Sequence, residues 1–311
     1  MIFPDFSPID LSTQKLILKT QQITPPTVSD LVFNNLFGWK DFFHYQMTSC
    51  KDFLVVYYLS PNQMIVLPPL LLKNSVSDAE WSENFRKLYQ DLGRECAKQN
   101  LELIFRYFPD IYIKRLPKEK WIIQEERDFF DYIHERNSLE TLPGREFSQK
   151  RNLIKQFIRN YPYRYERMEN RHIQTVLAFL KKWKPMQSHP KMISFSRYCM
   201  ACRLVENVST LSIEGGLLFV DETLVALSLA SLIPDFQYED GKTYPTAVIH
   251  VENALTEFKG SYQMINQLFC SHLPKEYKRV NREEDIGLAG LRHAKLSYNP
   301  ISLLRKHLVK R

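Results

Sequence analysis

A mixed α/β fold in two halves is what this sequence predicts, and three observations carry the prediction. The 311 residues exceed what one hydrophobic core usually organises, so two domains are expected. Alternating aromatic and β-branched stretches give way repeatedly to segments with 3- and 4-residue apolar spacing, the periods of strand and helix. Near Leu142-Pro143-Gly144 the sequence turns strongly basic, which sets the expected halves at 1–143 and 144–311.

Taken in order, Leu11 to Gln22 and Ser29 to Trp39 read as helices, the second capped by Ser29 or Asp30 after Pro25-Pro26. Phe42 to Thr48, Phe53 to Leu59 and Met64 to Leu71 read as an antiparallel meander with a Ser60-Pro61-Asn62 turn. Asp78 to Gln99 is an amphipathic helix whose stripe is Trp81, Phe85, Leu88, Leu92 and Cys96. Leu101 to Tyr107, Trp121 to Gln124 and Phe129 to His134 are short strands separated by Pro109 and Pro117. The basic helix EFSQKRNLIKQFIRNYP opens the second half. His172 to Trp183 and Ile193 to Asn207 follow as helices, then strands at Leu217 to Val220, Leu224 to Ile233 and Tyr244 to Val251. A helix at Ser261 to His272, a strand at Tyr277 to Asn281 and a helix at Leu288 to Leu296 lead to a basic, apolar end at Ile301 to Leu308. That strand, helix, strand order returns the chain to one sheet.

Composition is that of a globular protein, with 44% hydrophobic and 25% charged residues. The net charge of +7 is unevenly placed. Residues 1–145 hold 17 Lys and Arg against 19 Asp and Glu, which leaves 42 − 17 = 25 against 35 − 19 = 16 for the rest. A basic second half suits a polyanionic partner such as tRNA, an anionic lipid surface or a cofactor pyrophosphate. In the basic helix Arg151, Lys155 and Arg159 share one face, with Lys150 beside them, and form the candidate nucleic-acid contact; a solvated face is the plain alternative.

Five cysteines, odd in number and scattered, fit a reducing cytoplasm and no disulfide. Cys199 and Cys202 make a Cys-x-x-Cys, but without a second ligand pair at zinc spacing no metal is expected there. The N-terminus lacks a basic and then apolar leader, and the longest apolar stretch, Leu224 to Ile233, is far below the roughly 20 residues of a membrane span. A cytoplasmic protein is expected, with peripheral membrane association as a further expectation.

The densest chemistry lies in VNREEDIGLAGLRHAKLSYNP, Val280 to Pro300, where polar groups follow a buried strand and two of only 9 glycines, Gly287 and Gly290, fall together. With SDLVFNNLFGW, DYIHERNSLETLPGREFSQKRNLIKQF and IHVENALTEFKGSYQMINQLF, this block resembles the C-terminal domain of bacterial phosphatidylglycerol lysyltransferases and its stand-alone relatives. The resemblance implies two tandem acyltransferase folds of the GNAT type, akin to the aminoacyltransferases of peptidoglycan bridges that draw on aminoacyl-tRNA. It also marks departures. Relatives read H-x-E-K-A-D where this chain has His250, Glu252, then Asn253 and Leu255 in place of lysine and aspartate. An acidic residue in the helix before Leu217 is replaced, with Arg197 near that position. The large membrane region of the lysyltransferases has no counterpart in this sequence, which argues against a membrane lipid as acceptor and leaves peripheral contact through Lys306, Lys310 and Arg311 as the remaining membrane expectation.

Acyl or aminoacyl transfer needs a base for the attacking group and donors for the developing oxyanion. Glu252, Glu283 and Asp285 are the candidate bases; Lys259, Arg282 and Arg292 are the candidate cations, with Tyr262 or Tyr298 as proton donors. In a βαβ unit the strands ending at Glu252 and Asn281 would bring their C-terminal ends together. Structural ion pairing of Glu283 and Asp285 with Arg282, Arg292 or Lys295 is the bland alternative, and His250 reads as a hydrogen-bonded core residue. Gly260, Ser261 and Tyr262 open a helix that could bind a phosphate or acyl carbonyl, with Arg292 and Lys295 as further cofactor contacts. Yet Glu257 and Tyr262 occupy places where coenzyme A binders of the wider superfamily carry an Arg or Gln and a small residue. The leading expectation is transfer from aminoacyl-tRNA to an amine or hydroxyl; an acyl-CoA-dependent N-acyltransferase and a non-catalytic binding protein are the alternatives. No other cofactor is expected.

Overall fold

The computed structural model describes residues 5–74, 76–118, 120–183 and 191–311, with the side chains of 191–193 left aside. The first part of the chain runs β1 (Ser7–Pro8), α1 (Gln14–Ile23), α2 (Phe33–Phe43), β2 (Gln46–Cys50), β3 (Phe53–Ser60), β4 (Gln63–Val66), β5 (Leu70–Leu71), α3 (Asp78–Lys98), β6 (Glu102–Pro109), α4 (Asp110–Ile113) and β7 (Ile122–Glu125). The remainder is β8 (Asp131–Glu135), α5 (Arg136–Thr141), α6 (Ser148–Asn160), β9 (Tyr163–Arg167), α7 (Ile173–Trp183), α8 (Lys191–Glu206), β10 (Glu214–Val220), β11 (Thr223–Gln237), β12 (Thr243–Ala254), α9 (Ser261–His272), β13 (Arg279–Asn281), α10 (Ala289–Leu296), β14 (Ser302–Leu304) and β15 (Lys306–Lys310).

These strands build two mixed sheets, ordered β1-β2-β3-β4-β6-β15-β7, with β5 on β3, and β14-β8-β13-β12-β11-β10-β9. Sheet membership crosses residue 143 in both directions. The strand β8 belongs to the second sheet, between β14 and β13, whereas β15 returns to the first and pairs with β6 on one side and β7 on the other.

Local chemistry explains most elements. Ser77 caps α3 by accepting from the amide of Glu80 at 3.2 Å, and the stripe from Trp81 to Cys96 is buried against Phe53 and Phe105 of the first sheet. The strand expected from Phe42 starts late: α2 continues through Phe43 and stops at His44, whose φ of 53° is left-handed. The strand β9, YRYER, escapes a hydrophobicity reading because it is an edge strand with no fully buried residue.

Helices α6 and α9 cover one face of the second sheet through Ile154, Phe157, Met264, Ile265 and Phe269. The other face is covered by α7 and α8, and here the halves merge: Phe33, Leu36 and Phe37 of α2 share one apolar core with Leu180, Leu204, Leu217 and Leu229. The site follows from the second sheet's centre. Parallel strands β12 and β13 pair only from Thr246 and Arg279 as far as Val248 and Asn281. Beyond that point β12 stays with β11, and a bulge between Leu229 and Ala230 makes His250 the extra residue. A gap therefore opens between Ile249 and Glu252 on one side and the chain after Asn281 on the other.

Candidate functional site

The gap is a cavity of about 180 Å³ closed by α8, α9, α10 and Trp39 of α2, and so lined by both halves. Its polar wall is Glu252 and His250 from β12, Arg282, Glu283 and Glu284 from the chain after β13, and Lys295 from α10. The turn after β13 is held open by its own side chains. Asn281 Oδ1 accepts from the Glu283 amide at 2.7 Å, which fixes Glu283 at φ 55°. A carboxylate residue in the left-handed region is strained, and such strain concentrates at functional sites.

Three of the residues expected from sequence meet there as ion pairs and hydrogen bonds. Glu252 accepts from Arg282 at 2.6 Å and from Asn266 at 2.9 Å, so both carboxylate oxygens are engaged. Arg282 lies over the Tyr298 ring at 4.6 Å, and its Nη1 is buried with no acceptor. Glu283 Oε1 accepts from His250 Nδ1 at 2.7 Å and from Asn35 at 3.1 Å, while Oε2 has no hydrogen bond to a described residue. With Nδ1 carrying the hydrogen toward Glu283, His250 Nε2 accepts from the Ser231 hydroxyl at 2.7 Å, and Ser231 accepts from Asn34 at 2.7 Å. His250 is thus the hydrogen-bonded buried residue the sequence suggested, and it also reaches the site.

Lys295 is buried on the same wall and donates to the backbone carbonyls of Arg282 and Glu284. Burial pulls its ammonium down to about 8, against the attraction of Glu284 and Glu283. Tyr262 lines the cavity with its hydroxyl 3.4 Å from Trp183 Nε1.

Other expected residues are placed elsewhere. Asp285 is fully buried outside the cavity lining and accepts from Tyr132 at 2.5 Å, from Arg127 at 3.3 Å and from Arg292 through both oxygens at 2.8 and 2.9 Å. Burial alone would raise its carboxyl, but Arg292 and Tyr132 hold it below the usual range. Asp285 and Arg292 are therefore the ion pair that fixes the loop to α10. Lys259 is exposed ahead of α9. Gly260 has φ 93°, and a Cβ there would lie 2.4 Å from the Leu153 carbonyl of α6. Ser261 turns its hydroxyl inward to Leu255 O at 3.0 Å.

The expected cationic stripe on α6 is only partly free. Lys150 donates to Ser297 at 2.7 Å and sits 4.1 Å from the centre of the Tyr298 ring, and Arg151 caps α5 by donating to the carbonyls of Leu142 and Gly144. Lys155 and Arg159 are exposed. Lys306 corrects the expected membrane contact, because it is fully buried at the junction of the sheets. It donates to Asp131 at 2.7 Å and Asp30 at 2.5 Å. Among the described residues no helix is long and apolar enough to cross a membrane.

Sequence reasoning missed Glu284. Its Oε2 is buried without a hydrogen-bond partner, 3.9 Å from Lys306. Burial raises its carboxyl to about 8; Lys306 opposes this, and Asp30, Glu283 and Asp131 add to it. No local signal marks this residue, since Asp30, Asp131 and Lys306 lie far away in sequence. A larger groove of about 500 Å³ runs between α7 and α8 past Cys199 and Cys202, but the orphaned and shifted groups converge on the smaller cavity, which is the candidate site.

Comparison with known proteins agrees with this architecture. A solved structure of a protein of unknown function from Bacteroides thetaiotaomicron VPI-5482 is 29% identical, covers 99% of each chain and superposes with a TM-score of 0.82. L-PGS from Bacillus licheniformis is 12% identical over 98% of this chain and 93% of that one, at a TM-score of 0.65. FemX is 8% identical over 98% and 96%, at 0.58. Those two likenesses show that the two-sheet mixed α/β fold of this chain is shared with both proteins. The family model for the phosphatidylglycerol lysyltransferase C-terminal region matches residues 21–310, and so this chain belongs to the phosphatidylglycerol lysyltransferase C-terminal family.

Proposed function

We propose that this chain transfers an aminoacyl group from aminoacyl-tRNA to an amine or hydroxyl acceptor in the cavity between β12 and β13. The observation that carries the reading is Glu283, strained at φ 55°, oriented by His250 through Oε1, and lining the same cavity as Arg282, whose Nη1 has no acceptor. In the reaction the acceptor nitrogen or oxygen attacks the ester carbonyl carbon, and Glu283 Oε2 takes its proton. The carbonyl electron pair moves to oxygen, where Arg282 Nη1 donates a hydrogen bond to it. Collapse breaks the bond to the tRNA 3′ oxygen, which leaves with the proton. Positioning and electrostatics supply the rate.

Family membership supports aminoacyl chemistry, and the exposed Lys155 and Arg159 on the basic half support a polyanionic donor. Gly260 packs against Leu153 O and Phe157 of α6, so its lack of a side chain serves helix packing, and Glu257 stands where a coenzyme A binder would carry an Arg or Gln. The test is binding of charged and uncharged tRNA, with acetyl-CoA alongside, at low and physiological salt. Preference for the charged form, weakening steeply with salt, is expected. Binding of acetyl-CoA alone, or of neither, would overturn the reading, the latter in favour of a non-catalytic role.

A further inference from the structure

Among the residues lining the cavity, Arg197 of α8 is unlike the rest. It is half-buried and lines the cavity, yet no hydrogen bond or ion pair joins its guanidinium to any described residue. Burial lowers its pKa although Tyr262, Glu283 and Glu284 act in the other direction. An arginine does not shed its charge as a buried lysine can, so a partly desolvated guanidinium without a counter-ion is a cost to the fold that an anionic ligand would relieve. Two more orphans face the same space or border it: Arg282 Nη1, a donor without an acceptor, and Glu284 Oε2. Glu252 pairs with Arg282 and Glu283 Oε1 with His250, and neither carboxylate pairs with Arg197.

We infer that this cavity receives a carboxylate from one of the two substrates, gripped by the Arg197 guanidinium, with Arg282 Nη1 as a second donor. A planar carboxylate matches the guanidinium fork. A phosphate dianion does not suit a wall that also carries Glu252, Glu283 and Glu284. Glu284, held protonated up to about 8 by burial, can donate to the ligand instead of repelling it. A space of about 180 Å³ equals roughly six waters by volume, enough for an acidic amino acid side chain or a peptide carboxyl terminus. The inference rests on the proposed function only in taking this cavity as the transfer site.

Two sources of carboxylate are distinguished by calorimetry with small probes and no tRNA. L-glutamate α-methyl ester stands for an acidic aminoacyl donor, with the L-glutamine and L-lysine α-methyl esters as controls. Glycylglycine stands for an acceptor with a free carboxylate, with its amide as control. One carboxylate probe is expected to bind about 10- to 100-fold more tightly than its uncharged control. R197Q is expected to erase that preference, and R197K to restore part of it. Preference in the ester series assigns the carboxylate to the donor, and preference in the peptide series assigns it to the acceptor.

Empty R197Q is also expected to melt no lower than wild type, since the residue serves a ligand and not the fold. Equal or better binding of the neutral or lysyl probes overturns the inference, as does a preference that survives R197Q, a lowered melting temperature in R197Q, or no binding of either carboxylate. If charged tRNA is not preferred but the Arg197-dependent carboxylate preference is found, the donor assignment fails and this inference stands. The reverse result overturns this inference alone.

Discussion

Substituting Glu284 by glutamine should make this protein more stable at neutral pH, even though it removes a carboxyl group that lies 3.9 Å from Lys306. Three carboxylates, Asp30, Asp131 and Glu284, surround the single ammonium of Lys306 at 2.5, 2.7 and 3.9 Å. Asp131 keeps its charge, because Lys306, Asn281 and the Ser29 amide outweigh its burial, whereas burial raises Glu284 to about 8. An unfolded glutamate ionises near 4.5, so between that value and about 8 the folded protein holds the extra proton. Stability must then fall as pH rises through this window. From pH 4.5 to 7 the span is about 2.5 pH units at roughly 1.4 kcal/mol each, or about 3 kcal/mol. Gln mimics the protonated acid and escapes the penalty. Urea unfolding of wild type and E284Q from about pH 5 to pH 8 checks this: the variant's advantage should grow from near zero to about 3 kcal/mol at pH 7. Lys295 acts with the opposite sign above that range, since its folded value of about 8 lies below 10.5, and stability recovers as pH rises between the two. A variant that is less stable at pH 7, or a difference that ignores pH, would refute the argument.

Three further outcomes follow from the geometry. Ala at Gly260 meets both a φ of 93° and the Leu153 carbonyl, so G260A should lose roughly 2–4 kcal/mol by chemical denaturation. D285N leaves Arg127 and Arg292 without their buried counter-charge and should cost roughly 3–5 kcal/mol; loss of transfer with stability unchanged would instead give Asp285 a direct chemical role. Charge reversal at the exposed Lys155 and Arg159 should weaken tRNA binding and lower the salt dependence of log K by about two, whereas an unchanged slope would move the nucleic-acid face off α6.

Elements with a strong local period were legible in advance, as α3 shows, where the five-residue stripe was named residue for residue. The βαβ placement of Glu252 near Asn281 was legible too, because a parallel pair joined by a helix has one layout. What could not be read were pairings set by distant chain. Lys306 looked like a surface cation because nothing nearby says that Asp30 and Asp131 await it. Glu284 sat in plain view inside the Asn281 to Asp285 run, yet its environment comes from β8, β15 and the turn before α2. Asp285 and Glu283 are two residues apart and chemically alike, and only the backbone turn at Glu283 sends one into the cavity and the other into an arginine cage.

The return of β15 to the first sheet has a consequence for synthesis. With β7 held in that sheet only through β15, and Lys306 plugging the junction, the N-terminal sheet cannot close until residue 310 has left the ribosome. Until residues 306–310 are in place, the chain carries an open edge on β6 and an unneutralised Asp131. Docking of β15 then becomes the event that lets both halves consolidate together, so deleting that strand should yield an aggregation-prone chain instead of one intact half beside a damaged one.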